Sequence, residues 1–110
     1  MDLEYIETQI KKQRRMMLRW SKLKEELPKE PAGFNDLLCK KYLKFSGLRA
    51  VVNYLRDEEI KRPSGTYYTT DDISNLFHDD KPDDVSEIIF AAAKSKYKQK
   101  GWGVKYPKDF

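Results

Sequence analysis

Residues 3–27, LEYIETQIKKQRRMMLRWSKLKEEL, decide how the rest of the chain is read. Leu3, Ile6, Ile10, Met17, Trp20 and Leu27 follow steps of three, four and seven residues, with no Pro or Gly between them, which is the period of one helix face. The spacing predicts a single long helix. At about 100° per residue, Lys11, Lys12, Arg15, Arg19 and Lys22 fall within an arc of roughly 100° that faces away from this apolar stripe. One side of the helix is therefore apolar and the other cationic. The stripe also fits a heptad with Gln13 and Lys24 at seam positions, where polar residues weaken a coiled coil but can set its register.

Pro28 and Pro31 stop this helix, because neither supplies an amide donor and each pushes the preceding residue to extended geometry. The boundary divides one domain into a basic amphipathic helix with its Pro-rich turn, residues 1–33, and a compact unit, residues 34–110. Asn35 is a candidate cap for a second helix running to Phe45, and Ser46 for a third over 47–61 with Leu48, Val51, Val52 and Leu55 on one face. Pro63-Ser64-Gly65 reads as a turn, and Thr66 to Thr69 as a β-prone run. Thr70 is expected to cap a short helix through Phe77. Pro82 is expected to open the last helix, with Asp83 and Asp84 in its first turn, and Gly101 to close it before a terminal strand over 102–106. The fold class expected is mainly α, with a long amino-terminal helix and a helix-turn-helix-like unit holding a minimal two-stranded β element.

Composition narrows what such a chain can do. Charged residues make up 36% of the 110 residues and the apolar set 39%, so the core must be thin and the helices wet on their outer faces. The single cysteine, Cys39, leaves no disulfide within the chain and favours a cytoplasmic setting. The longest apolar run, Ile88 to Ala93, is six residues, too short to span a membrane, and the first residues lack the pattern of a signal peptide. Charge is uneven around the net +4. Residues 1–62 hold 15 Lys and Arg against 10 acids, residues 63–90 hold seven acids against Lys81, and residues 91–110 hold six lysines against Asp109.

Catalysis finds little support in these residues. One histidine and one cysteine exclude most nucleophile-base pairs and metal sets. The group His78, Asp79, Asp80, Asp83 and Asp84 is rich in oxygen ligands, but it lacks the alternating ligands and central glycine of a calcium loop. These acids are better placed as partners of helix amino termini. Gly101-Trp102-Gly103 is too short for a phosphate loop. No enzyme activity, metal or cofactor is expected.

Tyr67-Tyr68-Thr69-Thr70 leading into Asp71 to Phe77, followed by a turn and the helix from Pro82 to Lys100, resembles the winged helix-turn-helix family in layout, over residues 47–106. The resemblance implies a DNA-binding fold whose second motif helix enters the major groove by its amino-terminal part. Here that part presents Asp83, Asp84 and Glu87, the wrong sign for phosphate. Contact is then expected from the carboxyl end, through Lys94, Lys96, Lys98, Lys100 and Lys105.

Two functions follow as expectations. The first is a small nucleic-acid-binding accessory or regulatory protein, DNA being favoured, that contacts the phosphate backbone through Lys11, Lys12, Arg15, Arg19 and Lys22 with the carboxyl-terminal lysines as a second zone. The alternative is a protein-interaction module, an adaptor or inhibitor of the type phages and mobile elements encode. It would use the seam of Leu3, Ile6, Ile10, Met17 and Trp20 for a partner or a second copy, and the acidic 71–87 segment for a basic partner. A membrane-surface role competes for the same seam and is disfavoured, because the core or a partner needs that stripe.

Overall fold

The computed structural model describes residues 1–99, 107 and 110. Five helices follow one another among them: α1 (Leu3–Glu26), α2 (Phe34–Lys44), α3 (Leu48–Asp57), α4 (Thr70–Leu76) and α5 (Glu87–Lys98). The chain is mainly α, as its periodicities predict. The expected β element is not seen among the described residues. Thr66 to Thr69 contributes only an isolated antiparallel bridge between Lys61 and Tyr67. The strand expected over 102–106 and the Gly101 cap lie outside the described residues.

The core is built by α2 to α5. Leu38, Cys39 and Tyr42 of α2, Val51, Val52 and Leu55 of α3, Ile73 of α4, and Ile88, Ile89, Phe90, Ala92 and Ala93 of α5 are buried together with Phe77 and Val85. Phe77 is its aromatic centre, with the rings of Tyr42, Tyr97 and Phe90 at centroid distances of 5.2, 5.1 and 6.2 Å. α2 and α5 make the most extensive helix pair, and α1 joins the body chiefly through α5. From α1 the core takes Leu23 alone.

The first helix accordingly projects. The molecule measures 60 × 29 × 22 Å with a radius of gyration of 16.2 Å, against about 13 Å for a compact domain of this length.

Local chemistry moves several helix ends from their expected places. α3 stops at Asp57, before Lys61, because a Schellman motif ends it. Glu59 takes a left-handed φ of 56°, its amide donates to the Arg56 carbonyl, and the Ile60 amide donates to the Leu55 carbonyl at 2.8 Å. Its amino end is Gly47, with no side-chain cap, so Ser46 does not serve there. α4 is capped by Thr69 and not by Thr70, in a capping box with Asp72. These bonds, the Thr69 amide first, hold the Asp72 carboxyl below the usual carboxylate range. α5 begins at Glu87, not Pro82, since the Ser86 hydroxyl accepts from the Ile89 amide.

Asp84 is the residue that explains this delay. Its carboxylate turns away from α5 to the amino end of α2, accepting from the Asn35 backbone amide at 2.9 Å and from the Asn35 side chain at 3.1 Å. The cap expected of Asn35 is thus supplied to it from elsewhere. Asp36 is buried one residue on, accepting from the Ala32 amide and pairing with Lys40 at 3.0 Å. Lys40 also donates to the Lys29 carbonyl, so the Pro-rich turn is stitched onto α2 from both ends.

Candidate interaction surface on the projecting helix

α1 is started by Asp2, whose carboxylate accepts from the Tyr5 amide at 2.8 Å, and it runs without a breaker to the Pro28 turn. Which side faces the body decides what the helix can bind. Leu23 is buried, and Gln9, Met16, Arg19 and Glu26 are partly buried. At about 100° per residue these five lie on one flank, which overlaps the cationic arc at Arg19 and ends where the apolar stripe begins. The stripe is therefore not what the body covers.

Leu3 and Met17 are 71% and 70% exposed, and Ile6, Ile10 and Trp20 are 42%, 45% and 41% exposed. Trp20 is the best covered of the seam, because Phe110 meets its ring edge-on at 4.9 Å. Burying one large apolar side chain is worth about 1.5–3 kcal/mol, and along this seam part of that gain is left untaken, most of all at Leu3 and Met17.

The cationic arc divides. Arg19 pairs with Glu87 of α5 at 2.9 Å and lies over the Phe110 ring at 5.7 Å, so it serves the attachment of α1. Lys11, Lys12, Arg15 and Lys22 are exposed and make no ion pair among the described residues.

The second cationic zone does not assemble. Lys96, expected at the surface, is 2% exposed. Its ammonium donates to the carbonyls of Tyr42 and Phe45 at the carboxyl end of α2 and lies 4.6 Å from the Tyr42 ring centre. It is a cation on the negative end of a helix inside the protein, and burial lowers its pKa. Lys94 is partly buried with its ammonium 5.6 Å from the Phe90 ring, and Lys98 is exposed. Lys100 and Lys105 lie outside the described residues. Lys96 was traceable in the sequence, because it falls four residues after Ala92 and seven after Ile89 on the buried stripe of α5.

The remaining polar groups are placed as follows. Asp79, Asp80 and Asp83 are exposed, while Asp84 is spent on α2. No group of three or more His, Cys, Asp or Glu suited to a metal occurs among the described residues. A cleft of about 440 Å³ between α2 and α4 is lined by Phe34, Leu38, Tyr68, Asp72, Asp79 and Asp80 among others, and its Asp72 is committed to the capping box. Sequence reading missed a hydrogen-bonded chain in which the Tyr97 hydroxyl meets both Ser74 Oγ and, at 3.1 Å, His78 Nε2. Tyr97 stands between the other two, so no base touches the serine. Cys39 is buried and free, and burial pushes its thiol up to about 12, with Asp36 and Asp84 adding to the effect. Such a thiol is inert.

No helix among the described residues is long and apolar enough to cross a membrane. Comparison with protein-family models, with curated proteins and with solved structures returns no match to this chain.

Proposed function

We propose that this chain is a protein-interaction module that works through α1. One observation carries the reading: Leu3, Ile6, Ile10, Met17 and Trp20 line one face of a projecting helix and stay open, while the core closes without them. Single exposed apolar residues are ordinary, but an aligned row on an element that stands off the body is the form in which a helix enters a groove or meets another helix. The exposed acids Asp71, Asp79, Asp80 and Asp83 add a surface for a basic partner. An adaptor or inhibitor role of the kind phages and mobile elements encode fits such a binding surface.

The test is a photo-crosslinking side chain placed at Met17, compared with one at Arg49, an exposed position on α3 away from the seam. A polypeptide adduct is expected from position 17 and none from position 49. Equal labelling, or none at position 17, removes the reading.

A second reading has its own observation. Lys11, Lys12, Arg15 and Lys22 are exposed, unpaired among the described residues, and lie opposite the seam, where they are placed to follow the phosphates of a nucleic acid, DNA first. Such binding is backbone contact with little base reading and does not depend on helix-turn-helix docking, since Asp84 and Glu87 at the start of α5 are already engaged by Asn35 and Arg19. It requires affinity for a random duplex that falls with a steep log-log salt slope and is abolished when the four cations are changed to Glu; no binding at low salt removes it.

A further inference from the structure

We propose that the occupant of the α1 seam is a second copy of this chain, laid antiparallel so that Glu7 of each copy meets Arg14 of the other. The inference rests on the interaction reading and names its partner. Leu3, Ile6, Ile10, Gln13, Met17 and Trp20 occupy alternating three- and four-residue steps, the seam of a two-stranded coiled coil. Turned end for end about a point between Lys11 and Lys12, the row fits itself. Leu3 then faces the second copy's Trp20, Ile6 its Met17, and Ile10 its Gln13, and the two-fold axis repeats each layer.

Charge selects this arrangement. Glu7 and Arg14 each directly follow a seam residue, on the flank of α1 turned away from its own body, and both are exposed without an ion pair among the described residues. In the antiparallel register each meets its opposite across the seam, twice per dimer. A parallel pair would set Lys24 against Lys24 in the seam and bring Asp2 beside Glu7, two like-charge contacts. It would also place both compact bodies at the same end, since every other helix follows α1. The antiparallel pair puts the bodies at opposite ends. Lys11, Lys12, Arg15 and Lys22 stay open in it, because they lie across the helix from the seam.

Three measurements on the full chain test this. Sedimentation equilibrium over a concentration series should show a monomer-dimer equilibrium. Glu7→Arg alone and Arg14→Glu alone should each weaken it about tenfold, while an equimolar mixture of the two variants should associate at least as well as the unsubstituted chain. Cysteine variants read the direction. Ile6→Cys or Met17→Cys alone should give no linked dimer under a mild oxidant, and the mixture of the two should give one. Both positions are exposed in the single chain, so folding is preserved, and Cys39 is too buried to compete. Self-linking of either single variant overturns the antiparallel register. A chain that stays monomeric at every concentration overturns the second copy as occupant. If that monomer still gives a Met17 adduct to another polypeptide, the interaction reading survives; if it gives none, both fail.

Discussion

Asp84 and Asn35, 49 residues apart, are joined twice, through the Asn35 backbone amide and through its side-chain amide, so that a loop before α5 closes the open end of α2. Gly33 makes room for this contact. A Cβ built there would stand 2.8 Å from Asp84 Cβ and collide with its carboxylate. Gly33 is extended and free of backbone strain, so its requirement is one of space.

Two substitutions should therefore act as one. Asp84→Ala leaves the Asn35 backbone and side-chain amides without their acceptor at a cost of about 1 kcal/mol, and Gly33→Ala displaces the same carboxylate. Each is expected to lower Tm by about 4 °C or more. The double variant should fall well short of the sum, because the contact can be lost only once. Additive losses in thermal melts would show that Gly33 and Asp84 act separately.

Glu59 offers the opposite sign. It holds a left-handed φ of 56° at the position after the α3 cap where glycine is usual. Glu59→Gly should raise stability by about 0.5–1 kcal/mol, read as a higher denaturant midpoint at unchanged slope.

The Cys39 thiol sets an alkaline limit. Folded, it holds its proton to about 12, against an ordinary thiol value of 9.0. Below the unfolded value the buried neutral thiol adds no pH dependence. Between these pH values the unfolded state binds fewer protons, so stability falls as pH rises, by on the order of 4 kcal/mol across the window. Cys39→Ala should flatten this alkaline loss in urea titrations taken from pH 8 to 11. Unsubstituted protein should react with a thiol reagent only as it unfolds.

Removing residues 1–14 should leave the body folded. Leu23 is the sole α1 contribution to the core and Arg19 its ion pair to α5, and both remain. The truncated chain should melt within about 3 °C of the full one, within the range of surface changes, while losing helical circular dichroism in proportion to length. A collapse of the melting transition would mean that the seam is needed for folding.

How far these features can be read in the sequence depends on where the information sits. α1 is legible nearly to the residue, because its ends are written in Asp2 and Pro28 and nothing between them breaks the period. The capping box of α4 is local too, and reading it one residue late is a boundary error of the usual kind. The start of α5 is not local. Pro82, Asp83 and Asp84 look like a helix beginning, and only the fold reveals that Asp84 is committed to a helix that ended some 40 residues earlier. Lys96 reads as surface by residue type, and only its place on the stripe of Ile89 and Ala92 marks it as buried. The site is half legible. Periodicity finds the seam and the cationic arc, but which flank of α1 meets α5 is a tertiary fact, and it is what leaves Ile6 and Met17 uncovered and takes Arg19 out of the cationic set.

Because Leu3, Ile6, Glu7, Ile10 and Met17 all lie on the exposed side of α1, folding places little constraint on them. A change at Ile6, Glu7 or Met17 should therefore leave the fold standing, whereas repacking around Phe77 should not. If α1 recognises a partner as proposed, recognition and foldedness are inherited as separate traits on one short chain, and a lineage could exchange partners without passing through an unstable intermediate.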